Sequence, residues 1–471
     1  NQTIAELAPV VTMLDTAPAD REPVVGSFPL TPIQHWYFGT DPVNPNHFNQ
    51  SMLMELVEQV DERALEQALA ALLVHHDALR TRFEQVGGRW QATVTPIEDL
   101  RMLRRHHLPG PTGEDRVAAM SAAADAAHAS LDLARPPLLR ALLFTGARGQ
   151  RPYLFLAAHH TAVDGVSWRL LLDDLDTAYH QALRGERCDL GAKTTSFRDW
   201  AIRLSEYVAE GNLDHELDQW ASASHAGALP VDPPPDEPAL TEQTVSLVVN
   251  AQDTEALLRS APNVYRTRIN DVLLAALAWS LCRWTGQNRV AIDLEGHGRE
   301  ELIDGVDLSR TVGWFTTMFP ISLTVSGSAG EQDLSWRDLV RSVRRQLRAI
   351  PNNGFGFGAL RYLGSPAIRE RVAAAGSGAQ ISFNYLGQFE GQSPGPERGL
   401  YHAMHTAIGQ PHDPADRDEH LLQVVGAVQD GQLRFSWLYQ PDHHLETTVQ
   451  RVADDFAEAL HCIAQDCRVN R

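Results

Sequence analysis

His159-His160-Thr161-Ala162-Val163-Asp164-Gly165-Val166-Ser167-Trp168-Arg169 is the stretch around which the chain is organised. Ahead of it, Tyr153-Leu154-Phe155-Leu156-Ala157-Ala158, entered through Pro152, is the short apolar run of a buried strand. Behind it, Leu170, Leu171, Leu172, Leu175 and Tyr179 make a helical stripe that stops near Gly185. Two histidines therefore stand at the mouth of a strand, and an aspartate follows four residues after the second. A strand end can hold a side chain still while leaving it open to substrate. Histidine moves protons near neutrality, and a nearby carboxylate can hold its tautomer. A histidine pair alone is ordinarily a satisfied core or surface group. A strand-to-helix junction carrying His-His, a spaced Asp-Gly and Ser-Trp together points to chemistry.

At 471 residues the chain exceeds what one hydrophobic core usually fills, so two lobes are expected. Hydrophobic residues make up 43%, enough for a folded interior and too few for a membrane protein. The longest apolar helical run, Val272 to Trp284, is too short to span a bilayer. With 40 basic and 60 acidic residues the net charge is −20, which argues against a nucleic-acid partner. Cys188, Cys282, Cys462 and Cys467 show no metal-ligand spacing, so free thiols in a reduced, cytoplasmic setting are expected. Neither a signal peptide nor an initiator Met opens the chain, and a piece of something longer is expected.

Several further stretches carry the argument. In Pro29-Leu30-Thr31-Pro32-Ile33-Gln34-His35-Trp36, Pro32 suits a first helical turn and Thr31 an N-cap. Met52, Met54 and Leu56 alternate as in a strand, and Asp61 can cap a helix with Leu65, Leu69, Leu72 and Leu73 on one face. That helix runs into His75-His76-Asp77-Ala78-Leu79-Arg80-Thr81-Arg82-Phe83. The triplet invites a catalytic reading, but Leu79 and Phe83 continue the apolar pattern, which favours packing and ion pairs. Leu138 to Phe144 and Tyr153 to Ala158 read as adjacent antiparallel strands, and Phe197 to Trp220 as a charged helix. Leu229-Pro230-Val231-Asp232-Pro233-Pro234-Pro235-Asp236-Glu237-Pro238 is the clearest linker.

Beyond the linker, a strand (Val245 to Val249), a long buried helix (Ile269 to Trp284) and a strand (Arg289 to Leu294) lead to Glu295-Gly296-His297-Gly298-Arg299-Glu300. Its glycines let the backbone turn tightly at the strand end. Thr311-Val312-Gly313-Trp314-Phe315-Thr316-Thr317-Met318-Phe319-Pro320 mixes apolar and hydroxyl residues as a tunnel wall or buried strand would. Arg337, Arg341, Arg344, Arg345 and Arg348 lie along a helix from Leu334; a solvated face is the ordinary reading, and docking of an acidic carrier is the alternative. Pro351-Asn352-Asn353-Gly354-Phe355-Gly356-Phe357-Gly358 lacks the Lys-Ser/Thr and the preceding strand of a phosphate loop. Ile381-Ser382-Phe383-Asn384-Tyr385-Leu386-Gly387-Gln388 follows. Then come a hairpin turned by Asp430-Gly431 and a helix from Thr447. His402, His405, His412, His420, His443 and His444 have no ligand partners at recognised spacings, so no metal is assigned.

In this order the motifs resemble the condensation-domain superfamily of nonribosomal peptide synthetases, relatives of chloramphenicol acetyltransferase. His159 to Gly165 is similar to its HHxxxDG signature. The Val166-Ser167-Trp168-Arg169 extension, Glu295 to Glu300 and Phe383 to Gln388 resemble the epimerization branch rather than the peptide-forming members. Pro351 to Gly358 resembles the family's glycine-rich motif, with Phe357 where a Tyr is usual. Thr3 to Ala8 resembles the last helix of a peptidyl carrier domain, with a frayed amphipathic terminus as the even alternative.

The resemblance implies an α/β fold of two chloramphenicol-acetyltransferase-like lobes in a V-shaped pseudo-dimer with a tunnel between them. The expected divisions are residues 1–23 (carrier end and linker), 24–228 (first lobe), 229–240 (Pro-rich linker) and 241–471 (second lobe). The implied activity is inversion, L to D, of the α-carbon of an aminoacyl or peptidyl thioester by a cofactor-independent isomerase. The substrate is tethered to the 4′-phosphopantetheine of an upstream peptidyl carrier domain in the same synthetase, and a downstream condensation domain is a further partner. No membrane and no metal are implied. The roles implied are His160 and Glu295 as proton-transfer groups, with burial of Glu295 in the tunnel, and Tyr385 and Asn384 as donors to an enolate oxygen. His159, Asp164 and Arg299 would support the site, and Ser167, Trp168 and Trp314 would line the tunnel. The alternative is a condensation domain joining carrier-bound substrates by a peptide bond.

Overall fold

The computed structural model describes residues 24–469 except 58, 99–101, 109–112, 147–148, 222–226, 234–241, 326–334, 376–378, 389–398, 406 and 418. The carrier-like stretch within residues 1–23, most of the Pro-rich linker and the Leu334 helix start therefore lie outside the described residues.

The strands run, in chain order, as β1 (Gly26–Phe28), β2 (Asn49–Leu56), β3 (Thr81–Val86), β4 (Arg89–Val94), β5 (Leu103–His107), β6 (Leu139–Thr145) and β7 (Tyr153–His159). They continue as β8 (Gln243–Val248), β9 (Arg289–Gly296), β10 (Thr317–Thr324), β11 (Ile381–Gln388), β12 (Tyr401–His405), β13 (Leu422–Gln429) and β14 (Gln432–Tyr439). The helices used below are α1 (Pro32–Gly39), α2 (Glu62–His75), α3 (Glu114–Ala129), α4 (Gly165–Leu183), α5 (Phe197–Ala209), α6 (Ile269–Thr285), α7 (Trp336–Arg348), α8 (Phe355–Leu363) and α9 (Glu446–Val469).

Three sheets result, in the orders β1-β4-β3, β12-β2-β7-β6-β5 and β10-β9-β11-β13-β14-β8. In the five-stranded sheet, α2 and α4 bury Leu65, Leu69, Leu72, Leu171 and Leu175 in the main core. Met120 and Ala124 of α3 pack with Phe144 and Phe155 in a separate cluster. Asp61 caps α2 by accepting from the Ala64 N–H at 2.8 Å, the first-turn bond that suits an Asp N-cap. In the six-stranded sheet, β13 and β14 form the expected hairpin, and Phe456 of α9 packs edge-on against Phe435 at 4.9 Å. Helix α6 is apolar along most of its length, and Val272 to Cys282 are all buried, as the sequence pattern predicts.

Three expectations differ from the structure. The predicted helix Phe197 to Trp220 stops at Ala209, because Gly211 takes φ 82° and turns the chain into a short second helix, Leu217–Ala221. The division at 241 does not separate the sheets. Strand β12 returns to pair antiparallel with β2, and Phe48 bridges His412, so a segment after the linker completes the first sheet. That pairing covers the free edge of β2, which otherwise presents unpaired N–H and C=O groups. The linker's described start is not free in solvent either: Leu229 is buried and its N–H donates to Gln380 Oε1 at 2.7 Å. The His75-His76-Asp77 corner is held by a hydrogen bond between His76 and Asp174 at 2.9 Å and an ion pair of Asp77 with Lys193 at 3.0 Å.

Candidate active site

The histidine pair is split by the end of β7. His159 is the last strand residue and points inward. Its Nδ1 accepts the Thr161 N–H at 3.2 Å, so its proton sits on Nε2 and is donated to the Pro45 carbonyl at 2.9 Å. Full burial pushes its pKa down to about 3, and it is a neutral brace.

His160 opens a single helical turn, His160–Ala162, and stays half-buried. Its Nδ1 faces the Val163 carbonyl at 2.9 Å, an acceptor only, so the proton is on Nδ1. Its Nε2 faces Gln50 Nε2 at 2.8 Å, a donor only, so Nε2 holds a lone pair. Phe48 stacks on the ring at 5.1 Å and Trp314 leans on it at 4.5 Å. Burial pushes its pKa below the ordinary 6.5. It is a neutral imidazole with one basic nitrogen, the form a general base needs.

Asp164 is the N-cap of α4. Its Oδ1 accepts the Ser167 N–H at 2.7 Å, and its Oδ2 accepts the Phe315 N–H at 3.0 Å. Arg299 pairs with Oδ1 at 3.4 Å, stacks over the Phe315 ring at 4.0 Å and donates to the carbonyls of Leu308 and Thr311. The Ser167 hydroxyl donates to the Gly313 carbonyl at 2.8 Å and accepts the Gly313 N–H at 3.0 Å. Asp164 and Ser167 thus clasp the segment from Gly313 to Phe315, which follows the second-lobe strand β9, and press Trp314 onto His160. Gly298 lets Arg299 arrive there: it has φ 65°, and a Cβ would lie 1.7 Å from the Phe315 carbonyl oxygen.

Glu295 is the next-to-last residue of β9, opposite Met318 of β10, and its carboxylate accepts from Asn384 Nδ2 at 2.6 Å. Met318 packs against the small cluster of Ile33, Tyr37 and Trp314, the same Trp314 that leans on His160. Two residues down the same face of β9, Asp293 pairs with His420 at 2.9 Å. A pocket of about 700 Å³, partly open to solvent, runs along this face and is lined by Asp293, Trp36, Met318, Phe357, Arg361 and Tyr362.

Several expectations need correction. Glu295 is exposed rather than enclosed. Asn384 and Tyr385 do not converge, because successive strand residues face opposite sides. Asn384 shares the face of Glu295, whereas Tyr385 shares that of the core residue Phe383, and burial pushes its phenol pKa up. The Asn384 amide is committed to Glu295, which makes it an orienting group. Ser167 and Trp168 are fully buried with polar atoms engaged, so they brace the site rather than line an open wall. Trp314 is likewise buried, against His160.

Gln50 was missed by sequence reasoning: it starts an alternating strand and belongs to no motif. His412 and His420, given no role, sit against Phe48 and Asp293. His75, His76 and Asp174 place three ligand-type atoms within 4.8 Å of one another, but the Asp174 carboxylate is taken by His76 and Arg310, an ion-pair network.

The chain is 32% identical, with a TM-score of 0.86, to the crystal structure of the epimerization domain from the third module of tyrocidine synthetase B, covering 96% of this chain and 100% of that one. The X-domain from teicoplanin biosynthesis has a TM-score of 0.71 at 21% identity, a likeness of fold, over 95% of this chain and 97% of that one. A linear gramicidin synthase polypeptide of Brevibacillus parabrevis is 42% identical over 98% of this chain, and surfactin synthase subunit 1 of Bacillus subtilis (strain 168) is 35% identical over 98%. The chain spans only 6% and 13% of the length of these two relatives. Residues 24–470 match the condensation domain, a span holding all three sheets and both halves of the site. With its two chloramphenicol-acetyltransferase-like α/β lobes, the chain belongs to the condensation-domain family.

Proposed function

We propose that this domain inverts the α-carbon of an aminoacyl or peptidyl thioester, L to D, in nonribosomal peptide synthesis. The substrate arrives on the phosphopantetheine arm of a peptidyl carrier domain upstream in the same synthetase, and a downstream condensation domain receives the product. The observation that carries the proposal is the pair of proton carriers of unlike type: a neutral imidazole on β7 and a carboxylate on β9, held by Asn384. The thioester acidifies the α-carbon. His160 Nε2 takes the α-proton, the electron pair passes into the planar enolate, and a proton that the exposed Glu295 carboxylate takes up from solvent is delivered to the opposite face, leaving the carboxylate again. The aromatic wall of Phe48 and Trp314 keeps water from His160, which protects such an intermediate. Likeness to an epimerization domain along 96% of the chain supports the same reading. A condensing enzyme also uses the histidine but gives no role to the Glu295–Asn384 pair.

The test runs wild type and Glu295→Gln in D₂O on one L-aminoacyl carrier, scoring isotope and chirality separately. Wild type is expected to take deuterium at the α-carbon and yield D-product. Gln keeps the shape but cannot carry the proton, so the variant should lose D-product while washing deuterium into the L-form through His160. Full inversion by the variant overturns the two-base assignment. Amide formation without exchange by wild type, when an acceptor amine is supplied, overturns the epimerase reading.

A further inference from the structure

The hydrogen bonds behind His160 form a directed chain. The indole N–H of Trp168 can only donate, and it reaches Gln50 Oε1 at 2.9 Å. With its oxygen taken, the Gln50 amide must present its NH₂ to His160 Nε2, at 2.8 Å. Rotating the amide by half a turn would set its NH₂ against the indole N–H, donor against donor. Gln50 is therefore locked as a donor toward the basic nitrogen. Strand pairing holds the arrangement, since Gln50 lies opposite Ala158 and Asn49 opposite His159 across β2 and β7.

We propose that Gln50, oriented by Trp168, is a positioning residue that disfavours the protonated form of His160 and so keeps it the proton acceptor of the resting enzyme. An imidazolium carries N–H on both nitrogens, so a proton on Nε2 would face the Gln50 N–H with no acceptor between them. The inference rests on the proposed proton transfer and adds a direction to it. The α-proton leaves carbon for Nε2, its electron pair stays in the enolate, and the Gln50 bond to the Nε2 lone pair breaks as N–H forms. The repulsion that follows favours release of that proton, returning the enzyme to a neutral His160.

Burial against Phe48 and Trp314 also disfavours the imidazolium, but it acts on the charge as a whole and does not single out Nε2. His159 is a braced neutral ring, and His412 lies beyond Phe48. Asp164 would favour the imidazolium, but its charge is paired with Arg299. Glu295, the carboxylate the second lobe offers, would also favour it.

The full chain is labelled with ¹⁵N-histidine, and His160 is identified by the signal lost in His160→Ala. In wild type its nitrogens should report Nδ1–H and an unprotonated Nε2, titrating below 6.5. Gln50→Glu keeps the acceptor for Trp168 and places a carboxylate on Nε2. It should raise the His160 titration by about 1–3 pH units, the ordinary effect of an adjacent opposite charge, and move the acid limb of kcat/KM for α-exchange equally. Trp168→Phe frees the Gln50 amide to turn its oxygen to the ring, so both should move in the same direction by less. A purely structural role would lower rates at every pH and leave titration and limb in place; that result in either folded variant overturns the proposal, as does an Nε2–H wild-type tautomer. The titration needs no substrate. A shifted titration with no exchange by wild type therefore supports the Gln50 role while overturning the epimerase reading.

Discussion

Replacing Asp164 by Ala tests whether this carboxylate is scaffold or chemistry. Its side chain is 5% exposed and meets three groups: the Ser167 N–H at 2.7 Å, the Phe315 N–H at 3.0 Å and Arg299 at 3.4 Å. Loss of an N-cap costs about 1 kcal/mol. A buried backbone N–H left without an acceptor, here that of Phe315, adds about 1–3 kcal/mol. Removing one partner of a buried ion pair costs about 3–5 kcal/mol, but Arg299 keeps the carbonyls of Leu308 and Thr311 and its stacking on Phe315. The three terms share one carboxylate and do not add, so the expected loss is about 3–5 kcal/mol in all. Urea unfolding followed by tryptophan fluorescence should show a lowered midpoint. Asp164→Asn, which keeps one acceptor for the cap, should lose less. Adding Arg299→Met to Asp164→Ala should cost less than Arg299→Met in wild type by at least about 0.5 kcal/mol, the coupling of contacting residues. An unchanged midpoint in Asp164→Ala together with abolished α-exchange would refute this reasoning and make Asp164 catalytic.

His160→Ala should lower α-exchange and inversion by about 10²–10⁴-fold, the usual contribution of a general acid–base group; near-wild-type exchange in the folded variant removes His160 from the chemistry. Stability should fall on acidification. Burial lowers His159 to about 3 and His75 and His128 to about 4 from an ordinary 6.5, so between those values the unfolded chain binds more protons than the folded one. The contribution is complete above pH 6.5 and is lost progressively as pH falls toward 4. Urea midpoints measured across that range should decline, and His128→Phe should flatten the decline.

Local signals were the legible ones. The strand and the helix stripe are written within the stretch from Pro152 to Gly185, and the structure follows them. The Asp430-Gly431 turn is equally local: both residues take positive φ, 50° and 71°, as a tight hairpin turn requires. What the sequence did not reveal depends on register between distant strands. Gln50 is an unremarked amide until β2 pairs with β7 and brings it beside His160, 110 residues away. The return of β12 to β2 likewise follows from an uncovered sheet edge, which no single stretch announces. The opposed faces of Asn384 and Tyr385 were legible, since alternation along a strand already separates neighbours. The resemblance to a shared motif grouped two residues that the pleat divides.

One short segment couples the two halves of the site. Gly313 is gripped by the Ser167 hydroxyl and Phe315 by the Asp164 carboxylate, both from the start of α4 just after the turn that carries His160. Between them Trp314 is set against the His160 ring, and three residues later the chain enters β10, where Met318 lies opposite Glu295. The contacts that orient the imidazole's surroundings therefore also set where the carboxylate strand stands relative to it. Proton transfer on both faces of one carbon tolerates little error in the spacing of its two carriers, since a misplacement of about 1 Å can cost about 10²-fold. A clasp of buried, directed hydrogen bonds to the backbone of residues 313 and 315 holds that spacing more tightly than a contact between lobe surfaces. It also explains why polar residues sit fully buried where apolar packing alone would have closed the interface.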